Sequence, residues 1–521
     1  MDESLLCEQK ERLLALMLAE EGFDCAVSSD VTRSVRTESA PLSFAQERLW
    51  IQDQMEPGNA AYNVSVAVRI AGPLNIVLLA HSLNEVVRSH EILRTSFPVV
   101  DGGPLQAITP YLNIDLMMRD LSGMPKSKAE ETAAALAAGQ AQRPFNLTER
   151  PPLAAALLRL SPQEYVAVLT MHHIITDRWS RSILIQEIVS TYRAFAAGRP
   201  SPLPKNRMQY ADFSIWQRQQ LQGEMLEKQL SYWKRQLAGA PVLQLESDFP
   251  RPQARMIRGA FTSFVLDESL LKALKVLSHR SSVSLFMTLL SAFQIVLSYS
   301  TGEEDIVVGT DVANRNRFDS ERLIGFFVNQ LVLRTSLSGD PTVLALLMRA
   351  REVCLEAYSH QDLPFNMLVE ALKVKWDRSR TPLFQVKIVL QNTSMTALNL
   401  PGLALQLFQI STDHAKFDLL LNMWEIDEQL VGELEYRSDL FRAETVLRLS
   451  EHFETTLRHI SRHPEARISD LKKVLAHRDE HREMKKIEVI KESNLQRLRS
   501  AKRKALGTNA EPRGNNGRQS I

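Results

Sequence analysis

The chain has 521 residues, which is too long for one hydrophobic core and enough for two domains of ordinary size. Hydrophobic residues make up 44% and charged residues 24%, a balance that excludes a disordered chain and a membrane-embedded one. With 62 basic and 61 acidic residues the net charge is +1, so no overall field favours nucleic acid or a membrane surface as a partner. Cys7, Cys25 and Cys354 lie far apart without a C-x-x-C pair, so neither a disulfide framework nor a thiolate metal site is predicted.

Residues 1 to 40 are predicted to form a leader segment. Apolar residues at helical spacing predict an amphipathic helix over residues 4 to 21, and the stretch that follows has no periodicity and is typical of a linker. The charges within the helix and the lack of a small-residue cleavage site exclude a secretory signal, and no apolar run is long enough to span a bilayer. We therefore expect a cytoplasmic protein.

An N-terminal lobe is predicted over residues 41 to 205. Apolar and polar residues alternate over residues 61 to 72, which predicts a strand. Residues 77 to 97 predict a helix that runs into a second strand. Residues 164 to 173 form a near-continuous apolar run typical of a central strand covered on both faces. Residues 180 to 198 predict a helix that ends at a glycine, and a proline-rich stretch follows at the boundary of the lobe.

A C-terminal lobe is predicted over residues 206 to 477, followed by a basic, partly disordered tail over 478 to 521. Residues 283 to 300 are apolar almost all round, which predicts a buried helix. Residues 305 to 315 predict a strand that runs into a loop. Since helices alternate with strands in both halves, the sequence predicts an α/β protein with two related lobes.

The stretch MHHIITDRWS, residues 171 to 180, is the candidate site. His173 ends the predicted central strand, a position that delivers side chains into a crevice, and a neutral imidazole there can accept a proton. Asp177 could orient a histidine or pair with an arginine. The alternative is that His172 and His173 are core histidines, while Asp177 caps the helix that begins near Arg178. A zinc site is disfavoured, because adjacent histidines on a strand point opposite ways and the H-E-x-x-H pattern is absent.

Further stretches join this one in an ordered set of motifs from residue 41 to about residue 475. They are SFAQERLW (43–50), RSHEILRTSF (88–97), MHHIITDRWS (171–180), YADFSIWQ (210–217), IGFFVNQLVLR (324–334), HQDLPFNMLVEAL (360–372), RSRTPLFQV (378–386), KFDLLL (416–421) and LEYRSDLF (434–441). The ordered set closely resembles the condensation domains of nonribosomal peptide synthetases. The stretch that begins with the first motif, SFAQERLWIQDQMEPGNAAYNV (43–64), is most similar to that of the subclass that joins L-configured donors and acceptors.

The resemblance implies a chloramphenicol-acetyltransferase-like α/β fold, with two lobes in a V and a tunnel between them. Donor and acceptor carrier proteins would enter from opposite faces, each with its substrate as a thioester on a 4′-phosphopantetheine arm. No cofactor is then expected to be bound by this chain itself. The implied reaction is that of an acyltransferase in antibiotic or siderophore biosynthesis, in which an acceptor amine or hydroxyl attacks the donor thioester to give an amide or an ester.

The same resemblance assigns roles residue by residue. His173 corresponds to the central histidine of the family's catalytic motif, as a general base or as an orienting hydrogen-bond acceptor, and His172 belongs to the motif with a structural role. Asp177 corresponds to a structural acid whose partner is an arginine from the second lobe, which we match to Arg315. Asn329 would lie at the tunnel crossing, although an ordinary turn amide is the alternative.

Arg178 departs from the family's pattern, which has glycine at this position. Its guanidinium could occupy tunnel space that the pantetheine arm needs, and its charge would lower the pKa of His173. Alternatively, the side chain snorkels to solvent and changes little. A second hypothesis follows, in which the domain is catalytically impaired and recruits a tailoring enzyme to a carrier-bound substrate. Intact His173 and Asp177 favour activity.

No adenylation signature, carrier serine motif or thioesterase nucleophile elbow is recognised beside the domain motifs. We therefore expect a free-standing monomer that meets carrier proteins and other synthetase subunits in trans, without nucleic-acid or membrane partners. The helix at 4 to 21 and a basic helix at 482 to 506 are candidate docking elements. A lid packed on the body and a solvated disordered tail are the respective alternatives.

Overall fold

The structure is a computed structural model that describes residues 39 to 507, apart from short internal gaps. The gaps are residues 205–207, 254–257, 316–317, 376, 378, 392–399, 401 and 409–413. The predicted leader helix at 4 to 21 and the end of the tail from 508 onward lie outside the described residues.

The strands form three sheets. They are β1 (Ser39–Pro41), β2 (Asn63–Ala71), β3 (Thr95–Ser96), β4 (Val99–Val100), β5 (Gly103–Ile108), β6 (Leu116–Asp120), β7 (Leu153–Ser161), β8 (Glu164–His172), β9 (Gly259–Leu266), β10 (Asp305–Val312), β11 (Asn329–Ser336), β12 (Val386–Gln391), β13 (Ala404–Phe408), β14 (Leu419–Ile426) and β15 (Gln429–Arg437).

The helices pack around these sheets. They are α1 (Phe44–Met55), α2 (Ile76–Ser89), α3 (Lys126–Ala141), α4 (Arg178–Ala196), α5 (Tyr210–Gln220), α6 (Gly223–Gln236), α7 (Glu268–Arg280), α8 (Leu285–Thr301), α9 (Phe318–Glu321), α10 (Val343–Ser359), α11 (Phe365–Ala371), α12 (Ala443–Arg462) and α13 (Ile468–Gly507).

The sheet of the first half has the order β13-β2-β8-β7-β6, so β8 is the central strand that its apolar run predicted. One face of this sheet is covered by α3, which packs Ala129, Ala133 and Ala137 against buried strand residues such as Val166. The small alanine side chains allow the helix to approach the sheet closely. The C-terminal end of β8 therefore has a rigid support, and the motif of residues 171 to 180 follows directly from it.

The sheet of the second half has the order β11-β10-β12-β14-β15-β9. Helix α8 is buried along most of its length, as its all-round apolar surface predicted, and it packs with α7, α10 and α12 in the largest hydrophobic cluster. Ser284 caps its first turn, and Gly302 ends it with a φ of 74°, a conformation that favours glycine. Among the described residues, no single helix meets the length and apolarity of a membrane span, and α7 with α8 does so only as a pair bent by 104°.

One strand of the second half joins the sheet of the first half. β13 pairs antiparallel with β2 from Ala404 opposite Ala71 to Phe408 opposite Ala67. The chain thus crosses between the sheets and returns through Lys416 into β14. The predicted lobe boundaries remain predictions, but the five-stranded sheet draws on both predicted lobes.

Helix α13 continues from the predicted second lobe into the predicted tail. Asp479 anchors it, because its carboxylate accepts hydrogen bonds from His452 Nε2 at 2.8 Å and from the Tyr299 hydroxyl at 2.9 Å. Arg482 adds an ion pair with Glu451 at 2.9 Å. The tail is therefore helical as far as residue 507.

Candidate active site

His173 lies at the end of β8, where the strand passes into one turn of 3-10 helix over His173–Ile175. Its Nδ1 lies 2.7 Å from the carbonyl oxygen of Thr176. A carbonyl oxygen can only accept, so Nδ1 carries the hydrogen and Nε2 presents a lone pair. The ring packs edge-on against Phe326, with 4.8 Å between the ring centroids. This geometry holds the imidazole in the tautomer that a proton acceptor requires.

The pKa of His173 is well below its ordinary value. Burial is the largest cause, followed by the positive charge of Lys416, and Arg181 and His172 add to the effect. The expected effect of the Arg178 charge on this pKa stays a prediction. The imidazole is consequently neutral at physiological pH and able to accept a proton.

His172 has a different environment. Its side chain is only 2% exposed, and its Nδ1 accepts a hydrogen bond from the backbone N–H of Ile174 at 3.1 Å. Burial and the charge of Lys416 lower its pKa to about 3. Because its acceptor nitrogen already closes the turn after β8, this side chain fits a structural role.

Asp177 combines two functions that the sequence offered as alternatives. It caps α4, since its Oδ1 accepts the backbone N–H of Ser180 at 2.7 Å, and its Oδ2 accepts the backbone N–H of Phe327 at 3.2 Å. The structure also brings it to Arg315, whose Nη2 lies 3.2 Å from each carboxylate oxygen. The carboxylate therefore holds the start of α4 against the loop that precedes β11.

Arg315 is the centre of a buried hydrogen-bond network. The Arg315 and Asp177 side chains are each 1% exposed, and the guanidinium also donates to the Ser180 hydroxyl at 2.7 Å and to the carbonyl oxygen of Leu323 at 2.8 Å. Its guanidinium carbon lies 4.0 Å from the centroid of the Phe327 ring. A buried ion pair with this many additional hydrogen bonds fixes geometry, because loss of either partner leaves a charge without compensation.

Asn329, the first residue of β11, uses all of its side-chain groups within the protein. Its amide donates to the carbonyl oxygens of Gln361 at 2.8 Å and Leu363 at 2.7 Å, and its carbonyl accepts the backbone N–H of Phe365 at 3.2 Å. The residue and Arg48 line the same shallow cleft. Both of its amide hydrogens are already donated, so Asn329 supports the wall of this cleft and has no donor left for a substrate.

The Asn329→Asp variant is expected to lose about 2–3 kcal/mol of unfolding free energy, because a carboxylate cannot donate to the two carbonyl oxygens that now bind the amide. Urea unfolding would measure the loss. Asn113→Asp makes the same chemical change at an exposed position and is the control. Equal stability of the two variants would contradict the structural role.

Arg178 begins α4 and reaches the sheet of the second half. Its guanidinium carbon lies 5.5 Å from the centroid of the Trp424 ring on β14, within the range of a cation–π interaction. Burial lowers its pKa, and the carboxylate of Glu433 on β15 opposes this shift. The side chain therefore bridges the two halves of the protein and does not point away into solvent.

Several residues at this site were not predicted from the sequence. Lys416 lies 4.6 Å, measured from its Nζ, from the centroid of the Tyr62 ring, and its charge acts on both histidines. Tyr210 is buried, and its hydroxyl donates to the carbonyl oxygen of Phe326 at 2.5 Å. Both residues open a motif of the family, Lys416 in KFDLLL and Tyr210 in YADFSIWQ, but neither motif indicates which groups these side chains contact. Only the three-dimensional arrangement reveals these contacts.

The comparison with known protein families identifies the chain. The family model described as "Condensation domain" matches residues 36 to 483. The chain belongs to the condensation domain family. A linear gramicidin synthase of Brevibacillus parabrevis is 44% identical over 447 residues, which cover 85% of this chain and 6% of that relative. This condensation domain thus spans only a small part of the length of that synthase.

Solved structures place the condensation domain in the predicted fold. The X-domain from teicoplanin biosynthesis has a TM-score of 0.77 at 27% identity and covers 85% of this chain and 99% of its own. The same kind of domain, in a complex of the X-domain and OxyB from teicoplanin biosynthesis, has a TM-score of 0.76 at 27% identity, with coverage of 85% and 98%. The expectation of a chloramphenicol-acetyltransferase-like α/β fold is confirmed.

Proposed function

We propose that this condensation domain is an acyltransferase that joins a carrier-bound donor thioester to the amine or hydroxyl of an acceptor. The observation that carries the proposal is the geometry of His173. Its Nδ1 is committed to the carbonyl oxygen of Thr176, so the Nε2 lone pair is available to a nucleophile. The residue lies deep in the protein yet keeps some accessible surface, as a residue that lines an internal channel would.

The proposed reaction begins with the acceptor amine hydrogen-bonded to Nε2 of His173. Its nitrogen attacks the thioester carbonyl carbon, the new C–N bond forms, and the electron pair of the carbonyl bond moves to oxygen. Nε2 takes the proton that the amine loses. When the carbonyl bond forms again, the C–S bond breaks and the thiolate leaves, taking the proton from the imidazolium. The roles of Asp177 and Arg315 in this sequence are to fix the start of α4 and hence the turn that carries His173.

The partners we propose are a donor and an acceptor carrier protein, each with a 4′-phosphopantetheine arm and each met in trans in the cytoplasm. The arms supply the thioester chemistry from the carriers, so the reaction needs no resident cofactor on this chain. The similarity of the first motif to the subclass that joins L-configured substrates suggests which pairs to test first.

Intact-mass spectrometry of the carriers tests the proposal. A panel of L-aminoacyl donor carriers is mixed with L-aminoacyl acceptor carriers, with and without the domain. The expected result is an acceptor carrier whose mass increases by the donor acyl group only when the domain is present. Absence of transfer across the panel, with both carriers still bound, would overturn the proposal.

A second candidate function is a platform that recruits a tailoring enzyme to a carrier-bound substrate. Two observations favour it. Arg178 occupies the position of a family glycine and lies against Trp424, and a structural relative was solved as a complex of the X-domain and OxyB from teicoplanin biosynthesis. In that case the domain would bind its carriers without acyl transfer.

The Arg178→Gly variant separates the two candidates. Since the guanidinium rests on Trp424 in the sheet of the second half, we expect transfer within about tenfold of wild type. Stability should fall by about 1–2 kcal/mol, through loss of the cation–π contact and a glycine in the first helical turn. Single-turnover assays and urea unfolding measure the two effects. Transfer that occurs only in Arg178→Gly would instead identify Arg178 as a block and favour the platform.

A further inference from the structure

Lys416 is a lysine in the interior whose ammonium forms no ion pair with the residues that the structure describes, although its backbone N–H donates to the Glu435 carboxylate at 3.3 Å. It lies between β13 and β14, and its Nζ lies 4.6 Å from the centroid of the Tyr62 ring, which precedes β2 in the other half of the protein. Within the described ranges, no carboxylate oxygen lies within 4.0 Å of this Nζ and no protein acceptor takes its hydrogens. The residue is only partly buried, so it keeps some accessible surface.

A second buried lysine, Lys387, differs from Lys416 in having an ion-pair partner. Lys387 on β12 also lies over an aromatic ring, 4.7 Å from the centroid of Phe417, but its ammonium forms an ion pair with Asp311 at 2.6 Å. A buried charge is costly unless it is paired. Lys387 follows this rule, whereas the Lys416 ammonium has neither an ion pair nor an acceptor among the described residues, which leaves its hydrogen-bond donors for another molecule.

Charged groups on four elements act on Lys416. Burial is the largest influence and lowers its pKa to about 8, with Lys387 of β12 and Arg48 of α1 acting in the same direction. Glu435 of β15 and Asp311 of β10 oppose the shift. A pKa of about 8 lies above neutrality, so the ammonium carries its charge at physiological pH. Strongly perturbed groups in a cleft are candidates for a functional role.

Lys416 lies near the candidate base, His173. Its charge acts on both His172 and His173, whose rings follow the end of β8. His172 also approaches Tyr62, with 6.2 Å between the ring centroids. Tyr62 therefore approaches both Lys416 and His172, which places Lys416 beside the motif that carries His173.

We propose that Lys416 is a catalytic residue whose ammonium donates hydrogen bonds to the carbonyl oxygen of the donor thioester. This inference rests on the proposed function. When the nucleophile bound to His173 attacks, negative charge moves onto that oxygen, and a fixed positive donor in a low-dielectric site stabilises it. The proton taken by His173 returns to the leaving thiolate, and Lys416 keeps its own protons throughout. Lys416 thus stabilises the oxyanion, and His173 accepts the proton of the nucleophile.

The test compares Lys416→Met, Lys416→Arg and Lys387→Met in single-turnover transfer between loaded carriers, over about pH 6 to 10. Removal of one oxyanion donor lowers rates by about 100- to 1000-fold, and we expect a loss of this size in Lys416→Met. Lys416→Arg keeps the charge and should recover part of the rate. Lys387→Met removes a neighbouring buried charge that is already paired with Asp311, and its rate should stay well above that of Lys416→Met.

The pH profile provides a readout that a structural role would not change. The wild-type rate should fall above about pH 8, where Lys416 loses its proton, and this fall should disappear in Lys416→Arg because a guanidinium stays charged. The acceptor amine titrates in the same range but raises the rate with pH, so the ratio of wild type to Lys416→Arg isolates the lysine. Thioester hydrolysis without the domain is subtracted, and thermal unfolding shows whether each variant is folded.

Three outcomes are distinguishable. A large loss in Lys416→Met, with partial recovery and no alkaline fall in Lys416→Arg, supports the inference. An active wild type with an equally active Lys416→Met overturns the inference alone. A wild type that transfers no acyl group with any carrier pair overturns the proposed function and the catalytic role of Lys416 together.

Discussion

Replacement of His173 by alanine is expected to lower the rate of acyl transfer by about 100- to 10,000-fold, the range over which a general base contributes. The physical reason is the loss of the only nitrogen that the turn after β8 holds with a free lone pair, since Nδ1 is bound to the carbonyl oxygen of Thr176. Single-turnover transfer between loaded carriers, followed by intact mass, measures the rate. A His173→Ala variant that transfers at the wild-type rate would show that the reaction is carried out elsewhere.

His173→Gln distinguishes the two roles considered for this residue. The glutamine carbonyl can accept a hydrogen bond from the acceptor amine but cannot take its proton at neutral pH. A rate close to wild type would identify His173 as an orienting acceptor, and a rate as low as that of His173→Ala would identify it as a base. His81→Ala, which removes an exposed histidine of α2, controls for effects of the substitution itself.

The second large effect is expected on stability, at the ion pair of Asp177 and Arg315. Asp177→Asn keeps an oxygen that can cap α4 but removes the negative charge, and it leaves the Arg315 guanidinium buried with only neutral acceptors. Breaking one side of a buried pair costs about 3–5 kcal/mol. Asp177→Ala should cost about 1 kcal/mol more, because it also removes the cap. Urea unfolding of the three proteins measures both differences.

The double variant Asp177→Asn with Arg315→Leu completes a thermodynamic cycle. If the pair is coupled through its charges, the double variant should lose less than the sum of the two single losses. Strict additivity would contradict the coupling. Transfer activity should decline with the stability of α4, since its first turn is continuous with the turn that carries His173.

The order of the elements could be predicted because each had a pattern of its own. The apolar run at 164 to 173 became the central strand β8, and the uniformly apolar stretch at 283 to 300 became the buried helix α8. Strand pairing carried no comparable signal. β13 is short and largely exposed, so nothing in its residues indicates that its partner is β2, more than three hundred residues earlier in the chain.

The site could be predicted only as far as its motifs extend. The resemblance led to His173, Asp177 and Arg315, and the structure brings the last two into contact. The effect of Arg178 could not be foreseen, because its partner Trp424 lies on a distant strand and the direction of a side chain is not encoded locally. Lys416 opens the motif KFDLLL, but the motif does not indicate which groups surround its ammonium.

The crossing strand β13 constrains how this protein can be divided or recombined. A fragment that ends near residue 205 would lack the segment Ala404–Phe408, and its β2 would become an unpaired sheet edge prone to pair with other chains. Chimaeras between condensation domains that exchange one half at the proline-rich boundary would combine β2 from one parent with β13 from the other. Recombination should therefore preserve this strand pair from a single parent, even though its members are far apart in the gene.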